Sequence, residues 1–413
     1  MRLSNLFTKT SKTAPADEVA KNAQLLIRAG FVYKEMAGVY AYLPLGKRVL
    51  EKIIQIVREE MNAVGGNEIS LTALQHKEAW EASGRWSDEV MDVWFKTKLA
   101  TGAELGLAPT HEEPLTRLMK NYISSYKDLP VYPYQFQIKF RNELRSKSGL
   151  MRGREFWMKD LYSFSRDQEE HDKFYELISK AYDKVYSRLG LGDITYKTFA
   201  SGGSFAKYSH EYQTLSPVGE DTIYVHKEKG IAINEEVYND EVLNDLGVTR
   251  DELIEEKAVE VGNIFTLGTR FSDALDLTYT DENGESKKVI MGSYGIGPSR
   301  LMGLIAEHFA DDKGLVWPKN IAPFTVYLVA IGEQGALEAD KLYDELTESG
   351  IEVLYDDRNE RPGAKFADAE LMGIPTRLTV SDRLVADGKY EITDRASGET
   401  KLLTRSELID TLK

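Results

Sequence analysis

Between residues 46 and 63 the apolar positions recur at helical spacing: Leu50, Ile53, Ile54, Val57 and Met61 fall at i, i+3, i+4, i+7 and i+11. That spacing predicts an amphipathic helix, and Gly65 and Gly66 stop it. NEISLTAL, which follows, has strand character. YQFQIKF (134–140) alternates strictly and predicts a strand with one buried face, and the aromatic run REFWMKDLYSF (154–164) predicts a second. The two strands and the basic stretch joining them read as an antiparallel hairpin with a long loop. Residues 167–190 predict an amphipathic helix ended by Gly190. Residues 215–262 are acidic and weakly patterned, and read as an inserted or connecting segment. LTYTDENGESKKVIMGSYGIGPSRLMGLIAEHF then reads as strand, Asn-Gly turn, strand, Gly-rich turn and helix.

WPKNIAP (317–323) is a proline-punctuated linker. Beyond it TVYLVAIG, a helix around 335–349, IEVLYDD and TRLTVS alternate β and α, as in a small separate α/β domain. The expected division is therefore 1–316 and 317–413.

Composition narrows the function. The 413 residues are 42% hydrophobic and 29% charged, as in ordinary globular proteins. No apolar run is long enough to cross a membrane, so no membrane partner is expected. Cysteine is absent, which removes disulfides, Cys-ligated zinc and thiol nucleophiles and fits a reducing compartment. The six histidines never fall at HExxH spacing. The first residues, MRLSNLFTKTSKTAP, carry an Arg and hydroxyls but lack the further arginines of an organelle transit peptide, so the cytoplasm is the expected compartment. A net charge of -15 argues against indiscriminate DNA binding and leaves room for RNA held by local basic patches.

Against that charge, FRNELRSKSGLMRGREF (140–156) gathers Arg141, Arg145, Arg152 and Arg154. Planar bidentate guanidiniums match phosphate oxygens, and a cluster of them fits a polyphosphate. Glu143 and Glu155 are placed to orient them, and Phe156 offers a face for a base. A solvated loop laced by ion pairs is the plainer alternative. In MGSYGIGPSR (291–300) the glycines permit close approach, and Arg300 lies in the first turn of a helix begun at Pro298, where anions are favoured. Such a turn also serves merely to redirect the chain. In LAPTHEEPLTRL (107–118), Thr110 and Glu112 can hold a cationic amine; equally, Thr110 and Glu113 can form a helix capping box.

Taken together and in order, PTHEE, KFRNELR…GLMRGREFWMKDLYSF, SHEY, MGSYGIGPSR and IEVLYDDRNERPGAKFADAELMGIPTR resemble the class II aminoacyl-tRNA synthetases, in the wording of the bacterial-type prolyl-tRNA synthetases. The N-terminal LIRAGFVY…AGVYAYLPLGKRVLEKI resembles them too, so the likeness covers nearly the whole chain. It implies an α+β catalytic domain, an antiparallel sheet flanked by helices, followed by a mixed α/β anticodon-binding domain. It also implies a homodimer whose substrates are L-proline, ATP and tRNA(Pro). By the same resemblance Arg141 contacts the α-phosphate and the proline carboxylate, Glu143 reads the adenine amine and Phe156 stacks on the adenine. Arg152, Arg300 and the backbone at Gly295 and Gly297 hold the remaining phosphates, with Mg2+ bound through those phosphates rather than by a protein metal site. Arg141 and Arg300 are the catalytic pair. Thr110 and Glu112 grip the proline amine, and Gly202, Gly203, Ser209 and His210 belong to the segment that closes its pocket. Arg358, Arg361, Lys365 and Phe366 are the expected anticodon readers, in a domain with 11 basic and 19 acidic residues from 322 onward.

Three departures stand out. The large editing insertion of many relatives is missing, with 222–258 in its place, so no hydrolytic editing in cis is expected. Thr72 replaces the proline that usually ends the first class II motif, and Asn263 stands where many relatives have His. A threonyl enzyme is disfavoured by the wording and by the absence of cysteine. A catalytically inactive paralogue, acting as a binding subunit, is expected to lose the ATP arginines, and they are present.

Overall fold

The computed structural model describes residues 1–146, 148–202 and 208–412. Two helices open the chain: α1 (Lys21–Arg28) and α2 (Pro44–Ala63). The predicted stripe of α2, from Leu50 to Met61, is buried. Gly65 then takes φ +86°, a left-handed conformation that suits glycine and stops the helix.

By packing the chain falls into two compact units, one of residues 54–146 and 151–301, the other of 1–53, 147–150 and 302–413. The first unit is built on a mostly antiparallel sheet. Its described strands are β1 (Asn67–Glu68), β2 (Pro133–Phe140), β3 (Glu155–Ser165), β4 (Thr195–Ser201), β5 (Tyr208–Leu215), β6 (Asp221–His226), β7 (Ile231–Asn234), β8 (Ile254–Gly268) and β9 (Ile290–Ile296). Their order is β5-β4-β7-β6-β8-β9-β3-β2-β1, and β5 also pairs with β8, which closes a ring of five strands at one end. Between β1 and β2 lies α3 (Glu112–Met119), and between β3 and β4 lies α4 (Gln168–Arg188). Asp167 caps α4 by accepting from Glu170 N, and Gly190 at φ +78° follows its end.

The hairpin of β2 and β3 forms as expected, in the register Phe140↔Glu155 and Lys139↔Phe156. Its buried face holds an unexpected set. The inward positions include Gln135 and Lys139, both essentially without solvent contact, whereas Phe136, Ile138 and Phe140 are only half-buried. Strict alternation fixes the period of a strand but not which face is covered. NEISLTAL shrinks to the two-residue β1 and a further short strand, Leu74–His76.

Residues 215–262 are not a loose insertion. They supply β6, β7 and most of β8, with their own apolar cluster of Ile233, Val242, Leu243 and Val248. MGSYGI is likewise strand β9 rather than a turn. Its glycines stay glycine for reasons of space: a Cβ at Gly292 would lie 2.4 Å from the Tyr294 hydroxyl and 2.7 Å from His171.

Helix α5 (Pro298–His308) begins in the first unit and ends in the second, where WPKNIAP is packed rather than loose. Trp317 and Ile321 are buried, and Trp317 stacks on Phe31 at 5.4 Å. The α/β domain then forms from β10 (Val326–Ile331), α6 (Glu333–Glu348), β11 (Val353–Asp356), α7 (Pro362–Met372), β12 (Thr376–Ser381), β13 (Tyr390–Asp394) and β14 (Thr400–Leu403). The order is β11-β10-β12-β13-β14, with β10 parallel to both neighbours and the last pairings antiparallel.

Candidate active site

Arginine clustering in the hairpin resolves into distinct jobs. Arg141 follows β2 directly, and its backbone N–H donates to Arg154 O at 2.8 Å, extending the ladder by one pair. Its guanidinium is carried back over the sheet. Nε and Nη2 donate to one carbonyl, Pro109 O, both at 3.3 Å, and the group lies 5.3 Å from the centre of the Phe156 ring. No carboxylate holds it among the described residues. Burial first, and then the charge of Arg300, lower its pKa. A half-buried guanidinium with so few acceptors is costly, and an anionic ligand would relieve it.

Arg300, in the first turn of α5, faces the same opening. It donates to the Glu260 backbone carbonyl and to its carboxylate at 3.2 Å, while Asn263 Nδ2 donates to the other Glu260 oxygen at 2.9 Å. Phe156, Met158, Glu260, Asn263, Gly295 and Arg300 line this cleft with Arg141. A Cβ at Gly295 would come within 3.0 Å of Asn263 Oδ1, so the close approach of β8 and β9 here depends on glycine.

Further out, Arg152 is forked onto Glu143 (3.1 and 2.9 Å) and also pairs with Glu220. Arg154 donates to the Glu143 carbonyl at 3.0 Å, and Arg145 is exposed. Ion pairing within the loop is therefore real, and Glu143 is its hub.

Thr110 Oγ1 donates to Glu112 Oε2 at 2.6 Å, and Ser293 Oγ on β9 lies 3.5 Å from the other oxygen. Arg85 reaches Glu112 at 3.4 Å and Glu113 at 3.1 Å. The capping box does not form: His111 precedes α3 and caps nothing with its side chain. Burial raises Glu113 to about 7 against the pull of Arg85.

Beneath this loop lies a buried polar network. His111 Nε2 is 3.0 Å from Thr72 O, an acceptor only, so Nε2 carries the proton and Nδ1 accepts from Lys139 Nζ at 2.6 Å. Lys139 also pairs with Asp160 at 2.9 Å. Asp160 accepts from Tyr162 Oη (3.0 Å) and Gln135 (3.1 Å), and Tyr162 Oη accepts from the His111 backbone N–H at 3.0 Å. Burial, then the Lys139 charge, pushes His111 down to about 4, so the ring is neutral at pH 7. Asp160 is driven up by burial, but Lys139 and His111 more than offset this and leave it below its usual range. The network holds Thr110 and Glu112 from below and gives Thr72 a task in its backbone carbonyl. The polar face of YQFQIKF was the sequence signal for it.

His210 stands elsewhere. On β5, its Nδ1 is 2.7 Å from Tyr175 Oη on α4, and its ring meets Phe199 edge-on at 4.6 Å. Alternation along β5 explains this: His210 is opposite Ile264, under α4, while its neighbour Glu211 is opposite Asn263, which lines the cleft. His210 thus sits on the face of β5 turned towards α4, beside the segment of Gly202 and Ser209. Ser209 donates to Ser201 O at 2.7 Å and Gly202 is buried; Gly203 lies outside the described residues. Glu260 and Asn263 were not legible as site residues, because only the pairing of β8 and β9 brings them to Arg300. Burial, then the Glu260 charge, raises Glu211 to about 7. Among the described residues no three acidic or histidine groups converge to hold a metal ion.

In the second unit Arg358 is bound to Asp356 (2.8 and 2.7 Å) and Asp368 (2.7 Å). Lys365 is buried and donates to Ala330 O and Asp356 O, both at 3.1 Å. Phe366 is half-buried beneath the Arg377 guanidinium at 4.7 Å, and Arg361 is exposed at the start of α7.

Family models for the tRNA synthetase class II core domain (G, H, P, S and T) and for the anticodon binding domain match residues 95–309 and 325–413. The chain is similar to the proline–tRNA ligase of a Geobacillus species, 35% identical over 565 aligned positions covering all of this chain and 99% of that one. It is similar to those of Agrobacterium fabrum (36%, 98% of each chain) and Hyphomonas neptunium (37%, all of both). Its fold is similar to prolyl-tRNA synthetase from Cryptosporidium parvum complexed with L-proline and AMP, at TM-score 0.76 and 18% identity, over 94% of this chain and 73% of that one. The Giardia lamblia enzyme in complex with prolyl-adenylate gives TM-score 0.76 and 21% identity, over 93% and 74%.

Proposed function

We propose a mechanism from one premise: this chain belongs to the proline–tRNA ligase family, with a class II core and an anticodon-binding domain. It activates proline with ATP and charges tRNA with it.

The observation that carries the residue assignment is Arg141: half-buried, held by one carbonyl, set over Phe156 and facing the same cleft as Arg300. ATP lies with its adenine on Phe156 and its exocyclic amine on Glu143. Arg141 takes an α-phosphate oxygen and the proline carboxylate, while Arg152 and Arg300 exchange their internal carboxylates for the outer phosphates. A proline carboxylate oxygen forms a bond to the α-phosphorus as the bond to the bridging oxygen breaks, and pyrophosphate leaves. Such a transfer needs positioning and charge neutralisation more than a protein base. Mg2+ enters with ATP and takes its ligands from the phosphates. In the second step the 3'-terminal ribose hydroxyl of tRNA attacks the prolyl carbonyl carbon and AMP leaves.

Thr110 and Glu112 hold the proline amine, with Ser293 on the second carboxylate oxygen. The segment that carries Gly202, Ser209 and His210 borders the pocket, with His210 held by Tyr175 of α4. Editing in cis is absent. The Geobacillus alignment spans 565 positions against 413 residues here, and 222–258 hold only β6, β7, one short helix and the start of β8. Alanine, smaller than proline, is then activated too, since each missing methylene is worth only about 1–3 kcal/mol. A trans-acting deacylase must clear the product. The enzyme is a cytoplasmic homodimer, functionally divided at 316/317, with Arg361 and Phe366 nearest to bases of the anticodon.

Amino-acid-dependent ATP–pyrophosphate exchange, run with all twenty amino acids, tests this reading. Exchange with proline and a weaker signal with alanine are expected. No exchange from folded protein would make it the inactive paralogue.

A further inference from the structure

A second cleft, of about 810 Å3, lies wholly within the unit that contains the anticodon-binding domain. One wall is the segment around Lys9 and Lys12 together with Arg28 of α1; the other is the face of α7 that carries Ala364, Ala367 and Asp368, with Arg358 beside it. Its size falls in the range of ligand sites. Its charges are what single it out. In a chain of net charge -15, Lys9, Lys12 and Arg28 have no carboxylate partner among the described residues, and Arg28 Nε is buried with no hydrogen-bond acceptor. Two acids of the walls are already engaged: Asp368 with Arg358 at 2.7 Å, and Glu370 with Arg377 at 3.0 Å. Glu360 is exposed at the rim.

The basic wall is held in shape. Ser11 N donates to Arg28 O at 2.8 Å, Thr8 Oγ1 to Gly30 O at 3.1 Å, and Thr10 Oγ1 to Asp368 at 2.7 Å. Gly30, at φ +74°, leaves room for Thr8: a Cβ there would sit 2.3 Å from the hydroxyl. Cations left unpaired on a fixed scaffold favour an anionic ligand, and fixing them beforehand reduces what binding must order.

We propose that Lys9, Lys12 and Arg28 bind backbone phosphates of the tRNA, a contact separate from base reading. The proposal rests on the proline–tRNA ligase reading, which supplies the polyanion, and on α7, which carries both the cleft and the Arg361–Phe366 segment. A nucleic-acid backbone passing those bases presents phosphates at intervals of a few ångströms per nucleotide, and phosphate neutralisation adds affinity without sequence preference.

The test measures binding of a tRNA(Pro) transcript to the full-length protein between 50 and 200 mM salt. Wild type is compared with the Lys9→Ala/Lys12→Ala/Arg28→Ala triple and with Lys9→Gln/Lys12→Gln, whose exposed side chains leave the fold untouched. Each lost contact lowers the slope of log K against log salt by about 0.9 for duplex or 0.7 for single-stranded RNA. The triple therefore loses about two to three units of slope and at least tenfold in affinity at the lower salt. Its tRNA KM rises, while proline-dependent ATP–pyrophosphate exchange, which needs no tRNA, stays at the wild-type rate. Unchanged affinity and slope in both variants overturn the proposal. So does a loss confined to binding of free ATP or pyrophosphate. A wild type that shows no proline exchange fails the family reading itself and is recognised as such.

Discussion

Arg141 and Arg358 both sit in arginine-rich stretches with acids close by in sequence, and both read as ligand-binding residues. Their surroundings differ in kind. Arg358 is saturated by three hydrogen bonds to Asp356 and Asp368, and Lys365 nearby is spent on two backbone carbonyls. Arg141 is half-buried, with long bonds to a single carbonyl and no carboxylate partner among the described residues. A cation that the fold itself satisfies holds structure together; one that the fold leaves short of partners is free to take an anionic ligand. Charge clustering in a sequence does not separate these cases, because the separating fact is which acceptors the fold brings near.

The largest expected effect of that difference is on the first chemical step. Arg141→Ala should cut proline-dependent exchange at least a thousandfold, about 4 kcal/mol of lost transition-state stabilisation, with the melting temperature nearly unchanged. Arg358→Ala should do the reverse: exchange stays within a factor of two, while the unit loses about 1–3 kcal/mol by leaving Asp356 buried and short of donors. Exchange rates and denaturant titrations on both variants give the answer.

Lys139 sharpens the contrast inside the catalytic unit, since it is a saturated cation close to the site. Lys139→Met leaves Asp160 buried without its counter-charge and should cost about 3–5 kcal/mol in urea unfolding. In whatever fraction folds, the KM for proline should rise, because His111 and Tyr162 position the loop of Thr110 and Glu112. A KM equal to wild type would show the network to be purely structural.

Thr110→Val removes the 2.6 Å hydrogen bond to Glu112. It should raise the KM for proline roughly tenfold to a hundredfold with little change in stability, following the cost of an unmet partner for a charged group.

The smallest effect concerns pH. His111 is held down to about 4 in the fold against an ordinary value near 6.5. Between those values the unfolded chain binds the extra proton. Stability is therefore complete above about pH 6.5 and is lost as pH falls through 4, by at most about 3 kcal/mol from this residue. Urea titrations at pH 7 and 4.5 should show the fall, and His111→Gln should make it shallower. His210, half-buried and held down to about 3 by desolvation and then the Lys197 charge, contributes in the same direction.

Much of this was legible beforehand. The stripe of α2, the β2–β3 hairpin, α4 and the alternating C-terminal domain follow from periodicity and turn residues that act locally. Residue type, order and resemblance point to Arg141, Arg152, Arg300 and the pair Thr110–Glu112 as candidates, and the structure sets Arg141 and Arg300 on one cleft. What stayed hidden depends on pairing between distant strands. The polar face of YQFQIKF is buried because Asp160 and His111 meet it; MGSYGI is a central strand because close packing excludes side chains at its glycines; Glu260 and Asn263 become site residues only when β8 lies between β5 and β9. Which of His210 and Glu211 faces α4 is set by strand alternation, which no local pattern fixes when both residues are polar.

The central claim is that Arg141 is left unsatisfied for the substrate, whereas Arg358 is not. Rapid-quench measurement of prolyl-adenylate formed per enzyme in one turnover, on wild type, Arg141→Ala and Arg358→Ala together, tests it most directly. The account predicts a full burst from wild type and from Arg358→Ala, and none on that timescale from Arg141→Ala. A normal burst from folded Arg141→Ala would contradict it.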